Sequence, residues 1–268
     1  MSSRVVTLRS QRRISISAAG DPLAPRLVLL FHPTPGAGPF DPDPTITARS
    51  SVHLLAIDRP GYGASPAPSE PRTVQHEADD VAEFVRQSDD IARSSGARAF
   101  GTVGVVGWGT GGIIALSLAA RHPDLVDRVA VVNTPTPRAG KAGTGAKMLP
   151  LFARSSLSIQ DDDPALATRQ GLGNRLDRML GEAALQGSAG VDADRTMLTD
   201  RSWAQQLDRI TANVRLIYGD DDRTTSILDG HWYRRRISAS RSVRVPGQGP
   251  LTIAACWSRI LDHVAPQD

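Results

Sequence analysis

The chain is poor in cysteine, in lysine and in long apolar runs. Its single cysteine, Cys256, excludes an intrachain disulfide and a zinc site built from cysteines, because each needs at least two thiols. Cys256 is predicted to be a small buried core residue rather than a nucleophile. No stretch approaches the roughly eighteen consecutive apolar residues of a membrane-spanning helix, and the N-terminus lacks the apolar segment of a signal peptide. We therefore expect a cytoplasmic protein with no membrane partner.

Lysine is scarce, because only Lys141 and Lys147 stand among the 31 basic residues. This arginine bias is typical of a GC-rich bacterial genome and indicates no function. The arginines are spread along the chain and interleaved with aspartate, and the net charge is only +3, so a nucleic-acid partner is not expected. The one tight cluster, residues 234–236, is predicted to be a solvated helix end.

Apolar runs alternate with helical patterns along most of the 268 residues. Polar and β-branched residues predict a hairpin at 4–8 and 12–18, and six further strands are predicted at 26–31, 52–57, 101–106, 128–132, 214–218 and 242–245. Helices are predicted at 74–94, 112–121, 226–236 and 251–264. Strand alternating with helix is typical of a mostly parallel sheet, here of eight strands, with helices on both faces.

One segment breaks this alternation. Residues 138–208 contain no convincing strand but several amphipathic stretches, and they are predicted to form a helical insertion between two strands. The chain is thus expected to consist of a core, residues 1–137 and 209–268, and a helical cap, residues 138–208.

The residues that follow the strands carry the informative motifs, because ligands of open α/β sheets bind beyond the carboxyl ends of the strands. These segments are HPTPG at 32–36, DRPGYGAS at 58–65 and GWGTGG at 107–112. Together with the order of strands and helices, they resemble the α/β-hydrolase superfamily over essentially the whole chain. The first is similar to its oxyanion loop, the second to its Asp-Arg-Pro-Gly loop and the third to its nucleophile elbow. The resemblance implies an α/β-hydrolase fold with a cap.

The elbow-like segment lacks a nucleophile. In the family's Gly-x-Ser-x-Gly pattern the middle residue attacks the substrate, and matching Gly107 and Gly111 to the two glycines puts Gly109 there. A register one residue later would put Thr110 at the tip, but Trp108 would then stand where the turn favours a small residue. An oxyanion hole is still implied, because the N–H groups of Thr110 and Thr34 remain, although Pro33 replaces the family's glycine and has no N–H.

The other two triad positions are also informative. The segment at 218–223 resembles the family's acid loop and implies Asp222 as the acid, although a carboxylate that caps its own loop is the alternative. The family's histidine should follow the last strand, and Pro250 stands there instead. A Ser→Gly change is a familiar engineered trap for substrate, but a proline at 250 would add nothing to it, so we interpret the pair as natural. As written, the chain cannot be a Ser-His-Asp hydrolase.

His32 is the histidine that the resemblance puts nearest the pocket. It could contact a ligand, or it could brace the backbone of its loop, which is the commoner role. The predicted site comprises three candidate catalytic residues, Asp222, His32 and Thr110, and five substrate-binding residues, Pro33, Thr34, Trp108, Gly109 and Pro250. No metal site or cofactor is expected, because the glycines at 107–112 lack the acidic residue about twenty positions on that a dinucleotide loop requires.

Three hypotheses follow for the function. The first is an atypical, non-hydrolytic enzyme of the cyclase, lyase or isomerase type, which acts on a small carbonyl-containing molecule through the oxyanion hole. The second is a non-catalytic pseudohydrolase that binds a small molecule or a partner. The third is an atypical esterase-like hydrolase that uses Thr110 or a water positioned by His32.

Overall fold

The computed structural model describes residues 1–137 and 151–266. In this part of the chain one eight-stranded sheet forms the centre of the fold, in the order β1-β2-β4-β3-β5-β6-β7-β8. The strands are β1 Ser2–Thr7, β2 Arg13–Gly20, β3 Arg26–Phe31, β4 Val52–Asp58, β5 Val103–Trp108, β6 Val126–Val132, β7 Asn213–Gly219 and β8 Ser240–Val245. β2 pairs antiparallel with β1 and β4, and the remaining pairs are parallel. The predicted fold class is confirmed.

Helices cover both faces of the sheet. They are α1 Pro44–Arg49, α2 Val74–Ser94, α3 Gly111–Arg121, α4 Pro164–Thr168, α5 Leu172–Ala183, α6 Ala189–Met197, α7 Ile227–Arg234, α8 Thr252–Ala255 and α9 Trp257–Val264, with 3₁₀ segments at Arg154–Leu157 and Ser202–Arg209. Side chains of α2, α3 and α7 pack in the core on one face, and those of α8 and α9 pack in the core on the other. None of the described helices is long and apolar enough to cross a membrane.

The central strands form where the sequence is apolar on both sides. In β3 every residue from Leu27 to Phe31 is at most 3% exposed, as expected for a parallel strand covered by helices on both faces.

Helix α2 begins with a capping box. Thr73 accepts a hydrogen bond from the His76 N–H, and the His76 side chain accepts one from the Thr73 N–H, which satisfies donors that a helix start otherwise leaves unpaired. The sheet and its helices thereby hold the carboxyl ends of the parallel strands in a fixed arrangement.

Most predicted elements differ from the structure by one or two residues at an end, and three differences have a physical reason. Helix α1 was not predicted, although Asp43 caps it by accepting from Thr45 and Ile46 and Pro44 occupies its first turn, which is a recognisable helix start. The helix predicted at 251–264 is two short helices separated at Cys256, whose φ of −104° is not helical. Strand β5 runs to Trp108 rather than stopping at 106, because it pairs with β6 as far as Val132.

Residues 138–150 of the predicted cap lie outside the described residues. The rest of it, 151–208, contains α4, α5, α6 and the two 3₁₀ segments. Helix α5 buries Leu172, Leu176 and Met179 in the same apolar cluster as Trp108 of the core. Burying side chains of this size contributes about 1.5–3 kcal/mol each, so this shared cluster helps to hold α5 on the core.

Candidate functional site

Gly109 forms the turn between β5 and α3. Gly109 has a left-handed φ of 57°, and its N–H donates to the Val132 carbonyl over 2.9 Å. Thr110, in contrast, has a helical φ of −61° and serves as the N-cap of α3. The left-handed residue of this strand-to-helix turn is therefore Gly109, and glycine adopts that conformation without steric cost.

A cavity of about 200 Å³ opens beside this turn. Seven of the eight predicted site residues line it, namely Pro33, Thr34, Trp108, Gly109, Thr110, Asp222 and Pro250. The other lining residues are Asn133, Pro135, Ser156, Leu157, Ser158, Thr224 and Thr225. We call this cavity the elbow pocket. It brings together loops that follow five different strands and one segment of the predicted cap.

Pro33 lies directly over the turn. A Cβ atom built on Gly109 would lie 3.2 Å from the Cβ of Pro33, which is closer than an ordinary van der Waals contact. A side chain at position 109 would therefore require Pro33 to shift by a few tenths of an ångström. The two positions that the resemblance marks as departures, 33 and 109, are adjacent in space.

Two threonines form the polar floor of the elbow pocket. The hydroxyl groups of Thr34 and Thr110 are 2.7 Å apart and share a hydrogen bond. Within residues 1–137 and 151–266, the backbone N–H groups of these two threonines donate to no acceptor. The Thr110 N–H stands at the N-terminus of α3, and the Thr34 N–H lies in the loop after β3. Unpaired N–H groups of this kind are able to bind a carbonyl or carboxylate oxygen.

The Asp222 carboxylate is occupied by its own loop. Its Oδ1 accepts hydrogen bonds from the N–H and the hydroxyl of Thr224, at 2.7 and 2.6 Å, and from the Thr225 N–H at 3.2 Å. Its Oδ2 accepts from the Thr225 hydroxyl at 3.2 Å. This arrangement is the loop-capping alternative raised from the sequence, and it stabilises the turn that precedes α7.

Pro250 belongs to a loop held by two side chains from neighbouring strands. The Trp108 indole N–H donates to the Pro250 carbonyl over 3.1 Å. Asn133, which has a left-handed φ of 47°, donates to the Gly249 carbonyl and accepts from the Gly219 N–H, each at 3.1 Å. Asn133 is a pocket residue that the sequence analysis missed, although it stands directly after β6, where such residues are expected.

His32 does not line the elbow pocket. Its Nδ1 bonds to the Pro33 carbonyl at 2.8 Å and its Nε2 accepts from the Arg59 N–H at 3.2 Å. Burial lowers the pKa of the His32 imidazole well below its usual value, and the nearby Arg59 guanidinium lowers it further. The geometry thus favours the bracing role of His32 over contact with a ligand.

A buried ion pair behind the pocket was also missed. Arg59, from the loop after β4, makes a bidentate contact with Asp194 of α6 at 2.9 and 2.6 Å, and both side chains are 3% exposed. Asp194 also accepts from the hydroxyls of Thr34 and Tyr62, at 2.5 and 2.8 Å. The DRPGYG motif pointed to Arg59, but its partner is 135 positions away in the chain, and no local pattern marks it.

The fold and this pocket define a protein of the α/β-hydrolase class. Residues 27–266 match the family model described as the alpha/beta hydrolase family, and the chain belongs to this family.

Named relatives point to ester chemistry in related proteins. A pimeloyl-[acyl-carrier protein] methyl ester esterase of Aromatoleum aromaticum is 30% identical over 158 residues, which are 52% of this chain and 63% of that protein. A protein of the same name from Neisseria meningitidis serogroup A is 27% identical over 210 residues, or 71% of this chain and 60% of its own. The matches thus span less than two thirds of either relative.

Solved structures agree on the fold. An enol-lactonase from Burkholderia xenovorans superposes with a TM-score of 0.72 at 19% identity, over 97% of each chain. A hydrolase from Pseudomonas aeruginosa gives 0.71 at 19% identity, also over 97% of each chain. At this identity the likeness establishes the architecture and leaves the chemistry to be argued from the pocket.

Proposed function

We propose that the chain is a non-catalytic pseudohydrolase that binds a small carbonyl-bearing molecule in the elbow pocket. One observation carries this proposal. Among the described residues that line the pocket, Asp222 is the one acidic or basic side chain, and it accepts four hydrogen bonds from its own loop. A hydroxyl attacks an ester only when a base accepts its proton. The Thr34 hydroxyl donates to Asp194, whose carboxylate is ion-paired with Arg59, and the hydroxyls of Thr224 and Thr225 donate to Asp222. Among the described residues that line the pocket there is no histidine to take the proton of a hydroxyl.

The polar floor indicates the class of ligand. The N–H groups of Thr34 and Thr110 donate hydrogen bonds, and a carbonyl or carboxylate oxygen accepts them. A volume of about 200 Å³ suits a small molecule, because drug-sized ligands occupy pockets of about 300 Å³ or more. The named relatives are methyl ester esterases. A short-chain methyl ester is accordingly the first ligand class to test.

The same two N–H groups support a second candidate. An oxyanion hole alone stabilises charge that develops on a carbonyl oxygen, and removing one of its donors costs about a hundred- to a thousandfold in rate. A cyclase, lyase or isomerase that needs no protein nucleophile would use this feature. It would convert the ligand without adding water, whereas a binding protein leaves it unchanged.

The test is ligand-observed NMR with methyl butyrate. Saturation transfer from the protein to the ester reports binding, and the ester spectrum over hours reports any conversion. Leu157→Trp fills the elbow pocket, while Leu185→Trp makes the same change at a leucine that is 65% exposed. We expect saturation transfer with the parent chain and Leu185→Trp, its loss in Leu157→Trp, and an unchanged ester.

Other outcomes contradict the proposal in distinct ways. Release of methanol and butyrate would identify an esterase and agree with the names of the relatives. A product that contains all atoms of the ester would identify the second candidate. Equal saturation transfer in the two tryptophan variants would show that the elbow pocket is not the binding site.

A further inference from the structure

A second cavity lies on the other side of the Arg59–Asp194 ion pair. Its volume is about 350 Å³, and it is an open cleft between residues 59–72, which follow β4, and helices α2 and α6. It shares no lining residue with the elbow pocket. We call it the strap cavity, because the proline-rich strap at 66–71 forms one wall. Its volume is at the lower end of the range that small organic ligands occupy.

The walls of the strap cavity combine apolar surface with an excess of acid. The apolar lining residues are Pro60, Ala67, Pro68, Pro71, Ala189, Ala193 and Met197. The charged lining residues are Arg59, Arg72, Glu70, Glu77, Asp192 and Asp194. Asp194 is paired with Arg59, Glu77 with Arg72, and Asp192 with Arg195, which lies outside the lining. Glu70 is thus the one lining carboxylate that has no ion pair among the described residues, and this excess of acid favours a cation over an anion.

One carboxylate oxygen in the strap cavity is unpaired. Glu77 is 7% exposed, and its Oε1 accepts a 2.5 Å hydrogen bond from Nε of Arg72. Its Oε2 accepts no hydrogen bond from any described residue, yet it is not among the polar atoms sealed inside the protein. Arg72 is held in place by a second 2.5 Å bond to Asp80. Because Glu77 lines the cavity and Oε2 is reachable from it, Oε2 is able to accept a hydrogen bond from a ligand there.

Most guanidinium nitrogens of the strap cavity already donate hydrogen bonds to acceptors of the protein. Arg59 directs Nε, Nη1 and Nη2 to Asp194 and to the carbonyls of His32 and Pro33. Arg72 uses two of its three nitrogens on Glu77 and Asp80. An anionic ligand would therefore find one free guanidinium nitrogen among four carboxylates, whereas an ammonium group would find a free oxygen.

We propose that the strap cavity is a second binding site, which takes a small protonated amine whose ammonium group donates to Oε2 of Glu77 and whose apolar body packs against the prolines and Met197. This site is separate from the elbow pocket, and its existence does not depend on what the elbow pocket does.

Binding at this site is coupled to pH through Glu77. Burial raises the pKa of the Glu77 carboxyl to about 7, and Arg72 opposes this rise. Asp80 on the same helix and Asp194 on α6 add to it, and the positive charges of Arg12, before β2, and Arg59, after β4, act against it. A bound ammonium favours the ionised carboxylate, so the affinity for an amine should rise as Glu77 loses its proton. With a pKa near 7, the ionised fraction rises about tenfold between pH 6 and pH 8.

The test is isothermal titration calorimetry with three ligands of similar shape. Phenethylammonium carries the positive charge, 2-phenylethanol is neutral, and phenylacetate is negative. We expect phenethylammonium to bind the parent chain at least about tenfold more tightly than 2-phenylethanol at pH 8, with an affinity about tenfold lower at pH 6. Phenylacetate should not bind.

Three variants assign the site. Glu77→Gln should abolish the preference for the amine and its pH dependence, whereas Asp90→Asn, an exposed position of the same helix outside the cavity, should leave both unchanged. Ala193→Phe fills the cavity and should abolish binding of the amine without altering Glu77. Equal affinity for phenethylammonium and 2-phenylethanol, or full amine binding by Ala193→Phe, would overturn the proposal. If Glu77→Gln does not fold, the ligand series and Ala193→Phe still decide it.

Discussion

Two residues at the elbow, Gly109 and Pro33, are in close contact. The resemblance to the family predicts a serine at position 109 and a glycine at position 33. Because a Cβ on Gly109 would lie 3.2 Å from the Cβ of Pro33, a serine at 109 and the proline ring compete for space. A glycine at 109 therefore makes room for a proline at 33, and the proline in turn stiffens the loop that carries the Thr34 N–H.

At the residue scale, Asp222 should matter for stability and not for ligand binding. Asp222→Ala removes the acceptor of four loop hydrogen bonds and should lower the free energy of unfolding by about 1–2 kcal/mol. Methyl butyrate binding should persist. Chemical denaturation and saturation transfer measure the two effects, and Asp221→Ala, a neighbouring loop carboxylate, is the control. Unchanged stability with loss of binding would mean that the carboxylate serves the ligand.

The sequence predicted the positions in the elbow pocket better than their roles. Motif spacing located Gly109, Thr110, Asp222 and Pro250, and all four line one cavity. The sequence allowed two roles each for Asp222, triad acid or loop cap, and for His32, ligand contact or support of its loop. A motif gives the position of a side chain and not its hydrogen-bond partners. Asp194 was beyond prediction, since its partner Arg59 is brought to it by tertiary packing alone.

At the scale of elements, the Arg59–Asp194 pair attaches α6 to the core. Burial tends to lower the pKa of the Arg59 guanidinium, but the Asp194 carboxylate outweighs it and the pKa is raised, so Arg59 remains charged. A buried charge without its partner is strongly unfavourable. The contact of α6 with the loops at Thr34 and Tyr62 therefore depends on one carboxylate.

Removing the Asp194 carboxylate should lower the stability of the folded chain. Asp194→Ala leaves Arg59 buried and unpaired and should lower the free energy of unfolding by about 3–5 kcal/mol. The double variant Arg59→Met/Asp194→Leu removes both charges and should lose less. Asp192→Ala, two residues earlier on α6 and 56% exposed in its side chain, should change stability by less than about 0.5 kcal/mol. Urea titrations of the four chains measure this, and a double variant no more stable than Asp194→Ala would contradict the argument.

Most elements were predictable, and the exceptions have physical reasons. The strands and long helices follow apolar periodicity, which tertiary packing reinforces. Helix α1 has only six residues, too few for a periodic pattern, and only its Asp43-Pro44 start signals it. The break at Cys256 falls within an apolar run that shows the same pattern whether one helix or two forms.

At the scale of the whole molecule, two buried histidines make stability fall in acid, while Glu77, whose pKa is raised by burial, acts in the opposite direction. Burial lowers the pKa of the His263 imidazole to about 4, with Arg215 and Arg128 adding to the effect, and His32 is shifted in the same direction. An unfolded histidine binds a proton near pH 6.5. Below that pH the unfolded chain binds more protons than the folded chain, so stability is lost as the pH falls from 6.5 toward 4.

The contribution of His263 to the pH dependence of the free energy of unfolding is measurable. We expect His263 to account for a loss on the order of 1 kcal/mol in the free energy of unfolding between pH 7 and pH 5. His263→Gln should flatten this part of the pH profile, whereas His231→Gln, at an exposed histidine of α7, should not. Denaturant titrations at a series of pH values measure the slope, and identical slopes for the two variants would refute the assignment.

The central claim is that the elbow pocket binds without catalysing hydrolysis, and turnover of p-nitrophenyl butyrate tests it most directly. The parent chain should release p-nitrophenol no faster than buffer. The triple variant Pro33→Gly/Gly109→Ser/Pro250→His, which restores the family pattern and removes the proline from above position 109, serves as the comparison and should release it faster. Turnover by the parent chain that Thr110→Val abolishes would contradict the claim, because it would show that the pocket carries a nucleophile after all.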